Sequence, residues 1–203
     1  VEQVVEEIAT LNRRALSGEL DVTAVSAHAL AMVADRYWLL PVGSSVGRDY
    51  GPVVVASRAL APADLDRGLR VGVPGELTTA ALLLGIFFPG AVRLSFPFDG
   101  LVAALGEGKI DAALLIHEAQ ITYAELGLRL VVDLGRKWFA ETRLPIPLGL
   151  NAAHRRLGPE LAGRFSKALG ASIRWSHAHP EPAFRWAARY ARGLAPAVTE
   201  RFV

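Results

Sequence analysis

The sequence predicts an α/β fold with largely parallel sheets, and three observations carry that prediction. From Pro62 onward, apolar runs of strand length alternate with helical stretches, the order expected of strand–helix–strand units. Ile110–Ile116 is apolar without strict alternation, as a strand covered by helices on both faces should be. Finally, two segments repeat one pattern. Ser17–Ser26 and Glu107–His117 each follow an amphipathic helix, carry Gly-x-(Leu/Ile)-Asp, and run into a strand with a polar residue at its end. Gly18 and Gly108 would close their helices in the left-handed conformation, and Asp21 and Asp111 would open the strands. Ligands of open α/β sheets bind beyond the carboxyl ends of strands. Two such units therefore point to two similar lobes facing each other across a cleft.

Taken in order, residues 4–16 place Val4, Val5, Ile8, Leu11, Ala15 and Leu16 on one helical face, and Gly18 stops the helix. A short strand follows over Leu20–Val25 and a helix over Ser26–Asp35. Tyr37–Val42 and Gly51–Ser57 read as strands separated by a Gly/Ser-rich loop, Gly43–Asp49. Leu69–Val73 is a strand, Pro74-Gly75-Glu76 a turn, and a helix opens near Thr78. Val92–Phe96 is a strand, Phe98–Glu107 a helix, Ile110–Ile116 a strand and Leu128–Leu134 another. Pro145–Leu150 is extended and stiffened by two prolines. From Pro159 the chain is helical, with breaks at His179-Pro180 and Leu194-Ala195-Pro196.

The 203 residues suffice for one large or two small domains with a sizeable core. Hydrophobic residues make up 52% of the chain and the mean hydropathy is +0.30, which raises the question of a membrane. The longest uncharged run, Leu77–Val92, is shorter than the ~20 apolar residues a span requires and contains Pro89. A buried helix and a turn account for it, and no membrane partner is expected. The net charge is +2 with the basic residues scattered, so no nucleic-acid surface is expected either. There is no cysteine, which excludes disulfides, thiolate metal sites and a cysteine nucleophile within this chain.

His117 is the leading candidate for chemistry, because an imidazole at a strand end can take a proton near neutral pH; a core histidine bonded to backbone is the alternative. Thr78 and Thr79 open a helix after a strand and loop, where exposed N–H groups and hydroxyls can receive an anion. An ordinary helix cap is the other reading. Ser26 likewise either caps the helix that follows or turns its hydroxyl to a ligand. His28, His154, His177 and His179 lack a partner at metal-ligand spacing, so no metal site is expected. Ser44-Ser45 lacks the nucleophile-elbow pattern, and Gly43–Gly47 lacks the phosphate-loop lysine.

Several segments resemble one family in order and spacing. They are Val71-Gly72-Val73-Pro74-Gly75-Glu76-Leu77-Thr78-Thr79-Ala80, Leu115-Ile116-His117-Glu118, Gln120-Ile121-Thr122-Tyr123, Val131-Val132-Asp133-Leu134-Gly135 and Leu144-Pro145-Ile146-Pro147-Leu148-Gly149, with Asn12-Arg13 and Gly51-Pro52 upstream. Together they resemble the 1,4-dihydroxy-6-naphthoate synthases of the futalosine route to menaquinone. The resemblance implies a two-lobed, type-II periplasmic-binding-protein-like fold with a ligand cleft. The family's N-terminal strand and Ser-Pro-x-Pro-Asn-Asp-type loop have no match in this chain. It places the first lobe in 1–57 plus 151–203 and the second in 58–150, with Gly51–Ser57 and Pro145–Leu150 crossing between them.

The resemblance further implies a cofactor-free, cytoplasmic carbon–carbon lyase that converts cyclic dehypoxanthine futalosine, a small-molecule carboxylate, to 1,4-dihydroxy-6-naphthoate. His117 would be the general base, and Ser26, Thr78 and Thr79 would hold the substrate carboxylate and hydroxyls. Chorismate dehydratase shares the fold, but Ile116-His117-Glu118 argues against it. A non-catalytic solute-binding protein would carry an export signal or lipidated cysteine upstream, and a regulatory ligand-binding domain a helix-turn-helix. The oligomeric state is left open by the sequence.

Overall fold

A computed structural model describes residues 2–190; the break expected at Leu194-Ala195-Pro196 lies outside them. The repeated Gly-x-(Leu/Ile)-Asp segments fold alike. Helix α1 (Ile8–Leu16) ends at Gly18 with φ +72°, where Gly18 N donates to Ala15 O and Glu19 N to Arg14 O. The later copy ends at Gly108 with φ +69°, with the same two bonds made by Gly108 N to Leu105 O and Lys109 N to Ala104 O. In the first copy the chain enters β1 (Val22–Ser26) and then α2 (Ala27–Met32). Asp21 there takes a bond from Arg156 Nε at 2.8 Å, and Asp111 in the second takes bonds from Arg70.

Strand β2 (Tyr37–Gly47) runs straight through the segment expected to be a Gly/Ser loop. Glycine and serine there serve a bulge rather than a turn. The pairing of β2 with β8 (Ile146–His154) shifts register between Leu39 and Ser44, and Gly43 takes φ +69°. Asn151 Nδ2 donates to Gly43 O at 2.6 Å and holds the distortion. The expected extended segment from Pro145 is thus the start of a nine-residue strand.

Beyond β2 come β3 (Val53–Ala56), β4 (Arg70–Val73), α3 (Thr79–Phe87), β5 (Val92–Ser95) and α4 (Leu101–Gly106). Then follow β6 (Ala112–Leu115), the short α5 (Ala119–Thr122), β7 (Arg129–Asp133) and α6 (Leu134–Thr142). Helix α6 was not expected from the sequence, which read Leu134 as the end of a strand. After β8, α7 (Gly158–Ala178) and α8 (Pro180–Ala187) are separated at His179-Pro180, as expected.

Two sheets result. One has the order β1-β8-β2 and is antiparallel; the other has the order β5-β4-β6-β3-β7. Parallel pairing is confined to β4 with β5 and with β6, which corrects the expectation of largely parallel sheets. The physical reason is the route of the chain: β3 arrives from the other sheet rather than through a crossover helix, so it runs against β6 and β7. Sheet membership changes between Gly47 and Val53 and again between Asp133 and Ile146.

The expectation for Ile110–Ile116 holds at its centre, where all four residues of β6 are buried. Leu114 packs with Val54, Leu84 and Leu134 on one face of the five-stranded sheet. Ala113 and Leu115 pack with Val53, Val55, Leu101 and Leu105 on the other. A separate cluster of Ala15, Val25, Leu30, Val33, Tyr37 and Ala152 supports the three-stranded sheet. Among the described residues no helix is long and apolar enough to cross a membrane.

Candidate active site

The strand ends of both sheets converge on a cavity of about 770 Å³, and all four residues singled out from the sequence line it: Ser26, Thr78, Thr79 and His117. Pro52, Ile116, Tyr123, Leu130 and Leu148 supply much of the rest of its wall. A second space of about 600 Å³ lies beside α1, with Arg13, Gly75, Glu76 and Phe96 in its wall, and contains none of the four.

Thr78 is a helix cap and a wall residue at once. Its hydroxyl accepts from Ala81 N at 3.1 Å and donates to Gly75 O at 2.8 Å. Thr79 Oγ1 donates to Leu148 O at 2.9 Å and so ties α3 to β8 of the other sheet. Both hydroxyl protons are therefore engaged within the protein, and each oxygen keeps acceptor capacity. The donors that α3 offers the cavity are its first backbone N–H groups, at Thr79 and Ala80, which have no partner within the helix. Both residues line the cavity. The helix dipole adds a partial positive charge at the same point. This end of the cavity can accept a carboxylate without a lysine or arginine.

Ser26 occupies the cap position of α2, but its side chain makes no capping bond. Asn12 explains why. This fully buried side chain donates from Nδ2 to Ser26 Oγ at 3.0 Å and accepts from Ser26 N at 2.9 Å through Oδ1. Nδ2 also lies 3.4 Å from Leu77 O, linking α1 to the loop that opens α3. With Oγ accepting from Asn12, the Ser26 hydroxyl proton is left to point elsewhere, and Ser26 lines the cavity. Asn12 entered the sequence reading only as part of a matching segment; its polarity in an otherwise apolar helix face was the signal.

His117 stands two residues past the end of β6 and is exposed at the cavity wall. Its backbone is left-handed, with φ +53°, a conformation that non-glycine residues adopt sparingly and that clusters at functional positions. The Phe98 ring meets the imidazole edge to face, with ring centroids 5.7 Å apart. Gln120 N approaches His117 O at 3.3 Å as the chain turns into α5. An exposed imidazole in a cavity wall is a group that can take a proton near neutral pH.

Asp133 and Arg136 complete the wall and were not recognised as site residues from the sequence. Asp133 ends β7 and caps α6 by accepting from Arg136 N at 3.0 Å. Burial pushes its carboxyl above the usual carboxylate range, against the opposing pull of the Arg136 and Gly135 N–H groups and the Arg136 charge. The remaining histidines lie elsewhere: His154 accepts from Arg156 N at the end of β8, and His179 stacks on Trp175. Among the described residues no cluster of His, Asp or Glu could hold a metal ion.

The comparisons agree with this architecture. The chain is 41% identical over 198 residues to the 1,4-dihydroxy-6-naphthoate synthase of Thermus thermophilus, covering 98% of this chain and 72% of that protein. A crystal structure of an Archaeoglobus fulgidus protein superposes with a TM-score of 0.93 at 45% identity, over 99% of this chain and 75% of the other. The alkanesulfonate-binding protein SsuA of Xanthomonas axonopodis pv. citri, solved with MOPS bound, superposes with a TM-score of 0.71. At 18% identity, over 96% of this chain and 69% of SsuA, that match shows the fold alone, a periplasmic-binding-protein-like α/β scaffold. The family model for menaquinone biosynthesis matches residues 1–203, and the chain belongs to that family of enzymes.

Proposed function

We propose that this chain converts cyclic dehypoxanthine futalosine to 1,4-dihydroxy-6-naphthoate in the cytoplasm, with the 770 Å³ cavity as active site and His117 as general base. The observation that carries the reading is the meeting of Ser26, Thr78, Thr79 and His117 in one cavity of a chain from the menaquinone-biosynthesis family. Each sheet with its helices is taken as one lobe, and the cavity as the cleft between them. The substrate carboxylate lies at the N-terminus of α3, held by the Thr79 and Ala80 N–H groups and the Ser26 hydroxyl. The bicyclic ring rests against Ile116, Leu148 and Pro52. His117 then removes a carbon-bound proton; that electron pair forms a new double bond as the bond to the sugar-derived fragment breaks, the fragment leaves with the bonding pair and takes the proton from the His117 imidazolium, and the ring aromatises.

A positioned base contributes about 10²–10⁴-fold, and orientation in a cleft that excludes water supplies much of the rest. The test is incubation of the protein with cyclic dehypoxanthine futalosine, with product followed by chromatography. His117→Ala should lower turnover by about 10²–10⁴-fold with an unchanged circular dichroism spectrum. Near-normal turnover in that variant would remove His117 from the role. No product from the folded wild-type chain would overturn the lyase reading and leave a solute-binding protein on the same scaffold.

A further inference from the structure

The order of strands fixes the order of groups along the cavity. Thr78 follows β4, His117 follows β6, Val53 opens β3 and Asp133 closes β7, and these strands are consecutive neighbours in the sheet. The register confirms the level: Val53 pairs with Leu115 on one side and with Asp133 on the other. With neighbouring strands ~4.8 Å apart, the end of β7 stands about 10 Å from the end of β6 and about 14 Å from that of β4. His117 therefore lies between two polar poles, the α3 N-terminus and Asp133.

Asp133 and Arg136 are the only Asp, Glu, Lys or Arg side chains among the described residues of the cavity wall. The Asp133 side chain is only 14% exposed, yet its hydrogen bonding is incomplete. The cap takes up two of its roughly four acceptor sites, through the Arg136 N–H on Oδ1 and the Gly135 N–H, while Oδ2 lies 3.7 Å from Arg136 Nε, beyond hydrogen-bond reach. The Arg136 side chain is 68% exposed and makes no closer ion pair. A desolvated carboxylate with open lone pairs can only accept, so it calls for O–H or N–H donors from a ligand.

We propose that Asp133, with Arg136 beside it, holds the hydroxyl-bearing fragment of the substrate, the part that departs, on the far side of His117 from the carboxylate. This rests on the lyase reading and adds a positioning role to it. Vicinal hydroxyls donate to Oδ2, and Arg136 closes over their oxygens. Asp133 then grips the leaving portion of the substrate and has no contact with the aromatic product.

The test compares substrate and product on the same protein. Asp133→Asn keeps an efficient helix cap but removes the charge and turns one acceptor into a donor. Its KM for cyclic dehypoxanthine futalosine should rise about 10–100-fold, the factor carried by a hydrogen bond to a charged group. Its Kd for 1,4-dihydroxy-6-naphthoate, measured by calorimetry, should stay within about twofold of wild type, because a group that does not touch the product contributes nothing to holding it. Asp133→Ser, which also caps, should show the same split and guards against an effect peculiar to Asn. Equal losses for substrate and product, or no loss in either, would overturn the proposal while wild-type turnover still stood. A wild-type chain that neither forms nor binds the naphthoate would overturn the lyase reading and this inference together.

Discussion

Asn12 offers the sharpest test of how the site is held. It is fully buried and bridges three elements: α1 by its own position, the β1–α2 junction through Ser26, and the loop before α3 through Leu77 O. In Asn12→Ala the buried Ser26 N–H loses its acceptor, which costs about 1–3 kcal/mol. The void left by the missing amide adds roughly 1 kcal/mol. A total near 3 kcal/mol corresponds to a fall in Tm of about 6–12 °C for a chain of this size. Asn12→Leu separates the two causes, since it restores volume but not the hydrogen bonds. It should recover the void part only and remain about 2 kcal/mol below wild type. Urea unfolding followed by circular dichroism, with m-values compared, reads both variants. If Asn12→Leu were as stable as wild type, the bonds to Ser26 would not be what fixes this corner. In both variants Ser26 Oγ loses its anchor, so KM for the substrate should rise even in preparations that remain fully folded.

Two further outcomes follow from the packing and the charges. A Cβ at Gly135 would run into the backbone of Tyr50 and Gly51, so Gly135→Ala should cost at least about 2 kcal/mol in urea unfolding and weaken substrate binding, because Tyr50 and Gly51 line the cavity. Bonds from Arg70 hold the Asp111 carboxyl below the usual range, so its contribution is present above about pH 4, the unfolded value, and is lost as pH falls through the depressed folded value. Asp111→Asn should therefore be less stable than wild type at pH 7, by a modest amount because the pair is solvent-screened, and the gap should narrow as pH falls below about 4.

What could be read from the sequence was whatever short-range chemistry decides. Gly18 and Gly108 announced left-handed helix ends, and both take φ near +70°. The apolar run in β6 announced burial on both faces. His117, Ser26, Thr78 and Thr79 were singled out because strand ends and helix starts are where ligands meet backbone donors, and all four line one cavity. What escaped depended on partners far along the chain. The Gly/Ser segment 43–47 is a strand because β8, a hundred residues later, pairs with it and Asn151 pins its bulge. The direction of β3 depends on which sheet it joins, and no local pattern encodes that. Asp133 looked like the end of a strand, yet the same residue caps α6; the Lys137–Glu141 pair at helical spacing was the local signal that a helix follows.

On the proposed reading, the two poles of the cavity differ in a way that transition-state arithmetic demands. Substrate and product share the carboxylate, so every added kilocalorie at the α3 end deepens both wells and slows product release without lowering the barrier. Backbone N–H groups and a serine hydroxyl, rather than a lysine or arginine, keep that shared attraction moderate. Discrimination has to come from a group that feels only the fragment about to leave, and it can be strong without trapping the product. A buried carboxylate with acceptor sites left open beyond its cap bonds meets that requirement, since those bonds offset its desolvation only in part and the hydroxyls supply more. Once the bond over His117 breaks, the fragment and the aromatic ring are held by different poles and depart independently. The full charges of the wall, at Asp133 and Arg136, thus stand where selectivity is needed, and the neutral donors stand where turnover would suffer from them.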